Sequence, residues 1–435
     1  MNAMKIFVLS DPRLLSATAR RLRQTKGGGH QIAVCSADKS QAEAAFKSAG
    51  LGISQFFPFP SSCRGGFGCW FGDRGKCVIN DGYEAAVSFV EEAQQIIFAL
   101  PSTRPDGAET YFPGGFPAPM KAAIERLVPM LKGGFQSAEE EITHPRRHPC
   151  LGPQQFSLYT TGQASGSLVE QHARRISARY FGWQYSETVE FNSSDLSKPA
   201  NSLGEVGRLR SRDSVADRTN VFLAIGSPRG TFSHTAKMAR QLLAAYETQL
   251  EKTLSIATFN PGDPIDLKKL SNQLNDAGIV IWAAPLYIGG FYSGMQRMID
   301  VLPILPGAFG KKDFVLVTSS GLPNLDEAAF QEKYARQLGQ NFGWNFTGTF
   351  SLIGAEVQKL IPHGGNNGTA AMTMVGTALA KGQYSTLSEI SRAMKQMDMV
   401  PPSLYYPFLG SLYFSSVGQR ILKTLGLAAT CGKLR

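Results

Sequence analysis

Three pairs of landmarks recur in the same order along this chain of 435 residues, and few folds can accommodate them. Phe116-Pro117-Ala118-Pro119-Met120 with Ile124 is matched by Phe291-Tyr292-Ser293-Gly294-Met295 with Ile299. Phe156 to Thr161 with Gly162 is matched by Phe314 to Ser320 with Gly321, and Phe181-Gly182-Trp183 returns as Phe342-Gly343-Trp344. An offset of about 160 to 175 residues is far longer than a solenoid repeat, so a whole domain is written twice. Within the copies, apolar runs alternate with helical patterns. Lys5 to Leu9, Val221 to Ile225, Ile279 to Ala284 and Phe314 to Val317 read as buried strands, and Tyr83 to Ala93 and Thr235 to Tyr246 read as helices. Continuous apolar strands, each followed by a helix, belong to parallel sheets covered on both faces. The expected class is α/β: two tandem doubly wound parallel sheets, each in strand order 2-1-3-4-5, with a helical tail.

Composition sets the boundaries. Asn192 to Arg218 is polar, serine-rich and interrupted by Pro199 and Gly204, as a linker is. The first domain is therefore placed at 1–195, the linker at 196–218 and the second domain at 219–365. From 366 to 435 the pattern is helical, with helices over Thr369 to Ala380 and Thr386 to Met397 before Pro401-Pro402 breaks the run.

Gly226-Ser227-Pro228-Arg229-Gly230-Thr231-Phe232-Ser233-His234-Thr235 lies between a strand and a helix. Backbone N–H groups converge at such a junction, and the helix dipole favours an anion there. Ser227, Ser233 and Thr235 add hydroxyl donors, and Arg229 adds a fixed charge. The plain alternative is a strand-to-helix turn with a serine cap. A second loop, Pro285-Leu286-Tyr287-Ile288-Gly289-Gly290, follows the next parallel strand and can lie against a flat ring. A third, Thr318-Ser319-Ser320-Gly321, completes the same rim. In a doubly wound sheet these loops meet where strand order reverses, which makes one mononucleotide cleft.

The Gly-Ser-Pro-Arg run with its later Ser-x-Thr, followed by Pro-Leu-Tyr-x-Gly-Gly, resembles the NADPH-dependent FMN reductase and iron-sulfur flavoprotein group of the flavodoxin-like fold. The resemblance spans most of the chain. It implies that Ser227, Arg229, Ser233 and Thr235 contact the FMN phosphate. It also implies that Pro285, Leu286, Tyr287, Ile288 and Gly289 line the isoalloxazine, with Ser319, Ser320 and Gly321 bordering it. NAD(P)H is the implied co-substrate, and the electrons pass to a small-molecule acceptor or a redox protein. An electron carrier without direct NAD(P)H oxidation is the alternative. No Ser-His-Asp or Cys-His arrangement argues for a catalytic side chain, and hydride transfer requires none.

The first copy keeps the plan in altered form. Asp11-Pro12-Arg13 stands at the phosphate-loop position, without the glycine and one residue shorter, with Asp11 where the second copy has Ser227, and a carboxylate there works against a dianion. Cys63, Cys69 and Cys77 resemble the cysteine loop of the same family and are the candidate ligands of an iron-sulfur cluster. The family's fuller pattern has four cysteines, and its second position falls on Gly66 here, whereas a cubane takes four thiolates. Three reduced cysteines in a glycine-rich loop are the other reading. Because each copy keeps what the other lacks, the chain is expected to act as a pseudo-dimeric monomer, the first copy serving as a wall beside the flavin of the second.

The formal charge of +10 invites a nucleic-acid partner, but no nucleic-acid motif accompanies it, and the field serves anionic flavin and dinucleotide equally well. Scattered cysteines and the absence of a signal-like N-terminal run suggest a cytoplasmic chain with no transmembrane segment.

Overall fold

The computed structural model describes residues 3–64, 77, 79–101, 116–127, 154–161, 167–192, 217–287, 289–319, 325–352 and 365–396. These residues form two compact units, the first over the described residues 3–192 and the second over 217–396. Both are α/β, and every ladder between their strands is parallel.

In the first unit β1 (Lys5–Ser10), β2 (Gln31–Ser36), β3 (Gln55–Pro58), β4 (Gln95–Ala99), β5 (Gln155–Thr161) and β6 (Gln184–Phe191) lie in the order β3-β2-β1-β4-β5-β6. The run from β2 to β6 is the expected 2-1-3-4-5 arrangement, and β3 is an additional edge strand. Pro58, which lacks an N–H for a further ladder, ends it. In the second unit β7 (Asn220–Ile225), β8 (Ser255–Phe259), β9 (Ile279–Ala283), β10 (Asp313–Ser319) and β11 (Asn345–Leu352) lie in the order β8-β7-β9-β10-β11. This is 2-1-3-4-5, the flavodoxin-like order. The hub strands are apolar on both faces because helices cover both: Ile6 to Leu9 and Val221 to Ile225 are buried throughout.

The matched landmarks occupy matched positions. Opposite the step from Phe156 to Ser157 the last strand β6 carries one extra residue, Ser186, and opposite the step from Phe314 to Val315 β11 carries Thr347. Gly182 and Gly343 both take the left-handed conformation, with φ of 65° and 78°, which a side chain would strain. Each turns the chain into the last strand of its sheet and presents a tryptophan inward. Trp183 stacks on Phe156 at 6.0 Å, and Trp344 meets Phe314 edge-on at 5.2 Å. Both indole N–H groups find acceptors, the Gln154 side chain at 2.9 Å and the Ala308 carbonyl at 2.6 Å.

The helix Gly365–Ala380 packs on the helix His234–Leu250, and Tyr384–Gln396 packs on β11. Met372, Val375, Leu379 and Leu387 share one core with Leu242 and Tyr246 of the helix His234–Leu250. A sequence pattern of helices beyond the last strand does not distinguish an appended tail from a covering layer; burial of one apolar face does. Among the described residues no helix is long and apolar enough to cross a membrane.

Gly376 marks where two of these helices touch, since a Cβ there would stand 2.2 Å from the Leu242 carbonyl oxygen and 2.9 Å from the Ala245 methyl. Alanine is the better helix former by about 1 kcal/mol, so propensity alone would make Gly376→Ala stabilising. Packing reverses the sign: Gly376→Ala is expected to destabilise by about 1–3 kcal/mol, measurable by urea unfolding. Lys312, at the head of β10, is buried. Desolvation lowers its ammonium to about 8, against the opposing pull of Asp276. Both states are protonated below that pH, so the cost is then fully present, and it fades as pH rises from about 8 to the ordinary lysine range. Lys312→Met is therefore expected to raise stability at pH 7 by roughly 1–3 kcal/mol, with the gain vanishing above about pH 10.5.

Candidate functional site

The site is built on a relay of backbone hydrogen bonds across adjacent strand ends. Gly226 N–H donates to the Ala283 carbonyl at 2.8 Å, Ala284 N–H to Val317 at 2.9 Å, and Leu286 N–H to Ser319 at 2.9 Å. The loops leaving β7, β9 and β10 therefore start side by side. The first two flank the point where strand order reverses, which is where α/β sheets open a crevice. Gly226 permits this approach: a Cβ on it would lie 2.8 Å from the Ala284 Cβ and 3.0 Å from Met295 Cγ.

Beyond Gly226 the loop folds on itself. Gly230 N–H donates to the Ser227 carbonyl at 2.9 Å, and Gly230 takes φ of 55° to enter the short 3-10 turn Gly230–Phe232. Ser233 then caps the helix His234–Leu250, its Oγ accepting the Ala236 N–H at 3.2 Å. Ser227 Oγ accepts the Arg229 N–H at 3.2 Å. Ser233 Oγ and Thr235 Oγ1 lie 3.2 Å apart. A hydroxyl that accepts from the backbone keeps its own proton to donate. Ser227 retains one such proton, and the Ser233–Thr235 pair retains another after one of the two donates to its neighbour. All three side chains are buried, Arg229 is half-buried, and Arg240 holds the turn from outside by donating to the Thr231 carbonyl at 2.6 Å.

The second loop is tighter. Tyr287 N–H donates to the Gly290 carbonyl at 2.9 Å, and Gly289 has φ of 71°, the left-handed geometry a short reversal needs. Pro285 and Leu286 are half-buried, while Tyr287 is buried with its ring edge-on to Tyr292 at 5.7 Å. Ser319 is the last residue of β10 and is also buried. Ile288, Ser320 and Gly321 lie outside the described residues. Of the candidate residues, Ser227, Arg229, Ser233 and Thr235 thus share one loop and helix start, and Pro285, Leu286, Tyr287, Gly289 and Ser319 stand on neighbouring strand ends.

In the first unit Cys63 is buried and Cys77 half-buried, and Cys69 lies outside the described residues. No group of three or more potential metal ligands is found among the described residues. The region is organised by Arg126, which the sequence patterns did not single out. Its buried guanidinium grips Asp81 with two bonds, of 2.7 and 2.9 Å, and reaches the carbonyls of Ser61 at 3.4 Å and Ile79 at 3.3 Å. Burial pulls the Asp81 carboxyl upward, but the Arg126 bonds and charge outweigh it and leave the group below the usual range. Cys63 and Cys77 both lie within the electrostatic reach of that guanidinium. Cys35, on β2, meets the side chain of Tyr83, and burial pushes its thiol up to about 12.

No protein-family model matches the chain, and no curated protein matches it. Among solved structures, the chain is similar to an FMN-dependent NADH-azoreductase from Bacillus anthracis str. Ames Ancestor in complex with FMN, at 14% identity and TM-score 0.31, over 37% of this chain and 99% of that one. An oxidoreductase from Corynebacterium diphtheriae is similar at 15% identity and TM-score 0.30, over 40% of this chain and 99% of that one. The flavodiiron protein from Giardia intestinalis is similar at 14% identity and TM-score 0.28, over 41% of this chain and 39% of that one. The fold assignment rests on the strand orders and ladders given above.

Two outcomes follow from the local packing. Gly226→Ala is expected to lower stability by about 1–3 kcal/mol, seen as a lower melting temperature, because neither Ala284 nor the strand beneath it can retreat. Cys35 is expected to resist iodoacetamide in the folded chain and to react on unfolding, as read by peptide mass mapping.

Proposed function

We propose that the second unit binds FMN and that the chain is an FMN-dependent NAD(P)H oxidoreductase passing electrons to a flavin, quinone or similar small acceptor. The observation that carries this reading is the cluster of three buried hydroxyls at a helix start, beside a loop hydrogen-bonded to the neighbouring strand ends. Those residues suit a phosphate monoester. Ser227 and the Ser233–Thr235 pair would donate to its oxygens, Arg229 would supply charge, and the helix N-terminus would add its dipole. Leu286 and Tyr287 would exclude water from one side of an aromatic ring, and Pro285 and Gly289 fix the path of that loop. FMN, when bound, supplies the redox chemistry by taking hydride from a nicotinamide and passing electrons on. The protein's share is to position, to desolvate and to donate backbone hydrogen bonds, so no side chain is assigned a proton-transfer role.

Purified chain incubated with FMN is expected to retain a yellow chromophore through gel filtration, and anaerobic addition of NADPH or NADH is expected to bleach it. A chain left colourless by excess FMN would exclude the reading; a stable flavin that neither nucleotide reduces would favour an electron carrier. Ser233→Ala and Arg229→Ala are each expected to weaken FMN binding about tenfold, or about 1.4 kcal/mol, by fluorescence titration. Ser233→Ala should in addition cost about 1 kcal/mol of stability through the lost cap.

A further inference from the structure

We propose that Asp11 is a built-in anion that closes the strand-to-helix loop of the first unit, so that a phosphate monoester has one seat per chain. The register of the sheets makes the comparison direct. Asp11 N–H donates to the Ala99 carbonyl at 2.8 Å, as Gly226 N–H donates to Ala283 at 2.8 Å. Asp11 therefore stands at the position of Gly226 and not, as the sequence alignment of the two loops suggested, at that of Ser227. Beyond that shared anchor the first loop is shorter by four residues and not by one: Asp11 leads at once into the 3-10 turn Pro12–Leu14 and the helix from Leu15, whereas Ser227, Pro228 and Arg229 precede the turn Gly230–Phe232 and the helix from His234.

The carboxylate takes up the donors that an incoming oxyanion would need. Asp11 Oδ1 accepts the Arg13 backbone N–H at 2.9 Å and Arg13 Nε at 2.9 Å, and Oδ2 accepts Nη2 at 3.1 Å. A bidentate guanidinium fork plus a backbone N–H at a helix entrance is a donor set suited to phosphate, already filled by the chain's own negative charge. The loop is also tied from a second side, since Gln41 Nε2 donates to the Pro12 carbonyl at 3.1 Å. A dianion approaching Arg13 would meet a carboxylate that no bare glycine presents. In the second unit the corresponding residue, Gly226, has no side chain, and the residue two before Arg229 is Ser227.

The claim that the second unit supplies the one seat rests on the proposed FMN site; the closure of the first does not. The test compares full-length chain with Asp11→Gly, which restores the residue found at the matched position, and with Asp11→Asn, which keeps size and cap but removes the charge. Binding of inorganic phosphate is followed by calorimetry and by 31P line broadening, and FMN stoichiometry by visible titration. Wild type is expected to bind one FMN per chain, and each variant is expected to bind one more equivalent of phosphate than wild type. Asp11→Asn guards against failure of Asp11→Gly to fold, and melting curves verify both. Equal phosphate uptake by wild type and the folded variants would overturn the proposal, as would two FMN per wild-type chain. Were wild type to bind no FMN, the oxidoreductase reading would fail, while the phosphate difference between variant and wild type would still decide the role of Asp11.

Discussion

The second unit depends on how closely two backbones approach at Gly226. Its N–H bonds to Ala283, no side chain stands between it and Ala284 or Met295, and that bond sets the loop of β7 against the loop of β9. Everything placed on those loops inherits the spacing. A cap on the following helix, a buried hydroxyl trio and a tyrosine reversal become neighbours because a parallel sheet delivers adjacent strands to one edge. The chemistry suggested for the cleft is thus a property of strand order first and of side chains second.

Much of this was legible before any coordinates. Hub strands without a polar face read as parallel, and each expected strand is present to within a residue or two of its bounds. The Phe-Gly-Trp repeats served in the sequence only as landmarks of the duplication; in the structure each is the turn into the last strand, where glycine takes the left-handed backbone. What escaped has physical causes. The strand Gln55–Pro58 is short and half-exposed, so it carries too weak an apolar signal to be seen. The helices after β11 read as a tail because amphipathic periodicity does not name the surface that buries it. The Arg126–Asp81 pairing spans 45 residues and has no local signature. Asp11 was assigned one residue out of register because a loop alignment lacks the ladder that fixes it.

The two units solve the same geometric problem with different electrostatics. The second leaves the helix entrance lined by hydroxyls and a half-buried arginine, while the first brings its arginine and an aspartate together in the same place. Neutralising a cationic loop from within costs little in folding, since the ion pair is partly exposed and its bonds are local. It therefore requires no compensating change elsewhere in the sheet.

The extra residues Ser186 on β6 and Thr347 on β11 act as a counting device. In a strand, neighbouring residues point to opposite faces, so one extra residue decides which half of the remaining strand looks inward. Had the extra residue on β11 been lost, the residues after it would exchange faces, turning Phe350 away from the core it shares with Val315 and Val317. The same irregularity opposite the same phenylalanine gives the last ladder of both sheets the same parity, although the side chains along it differ.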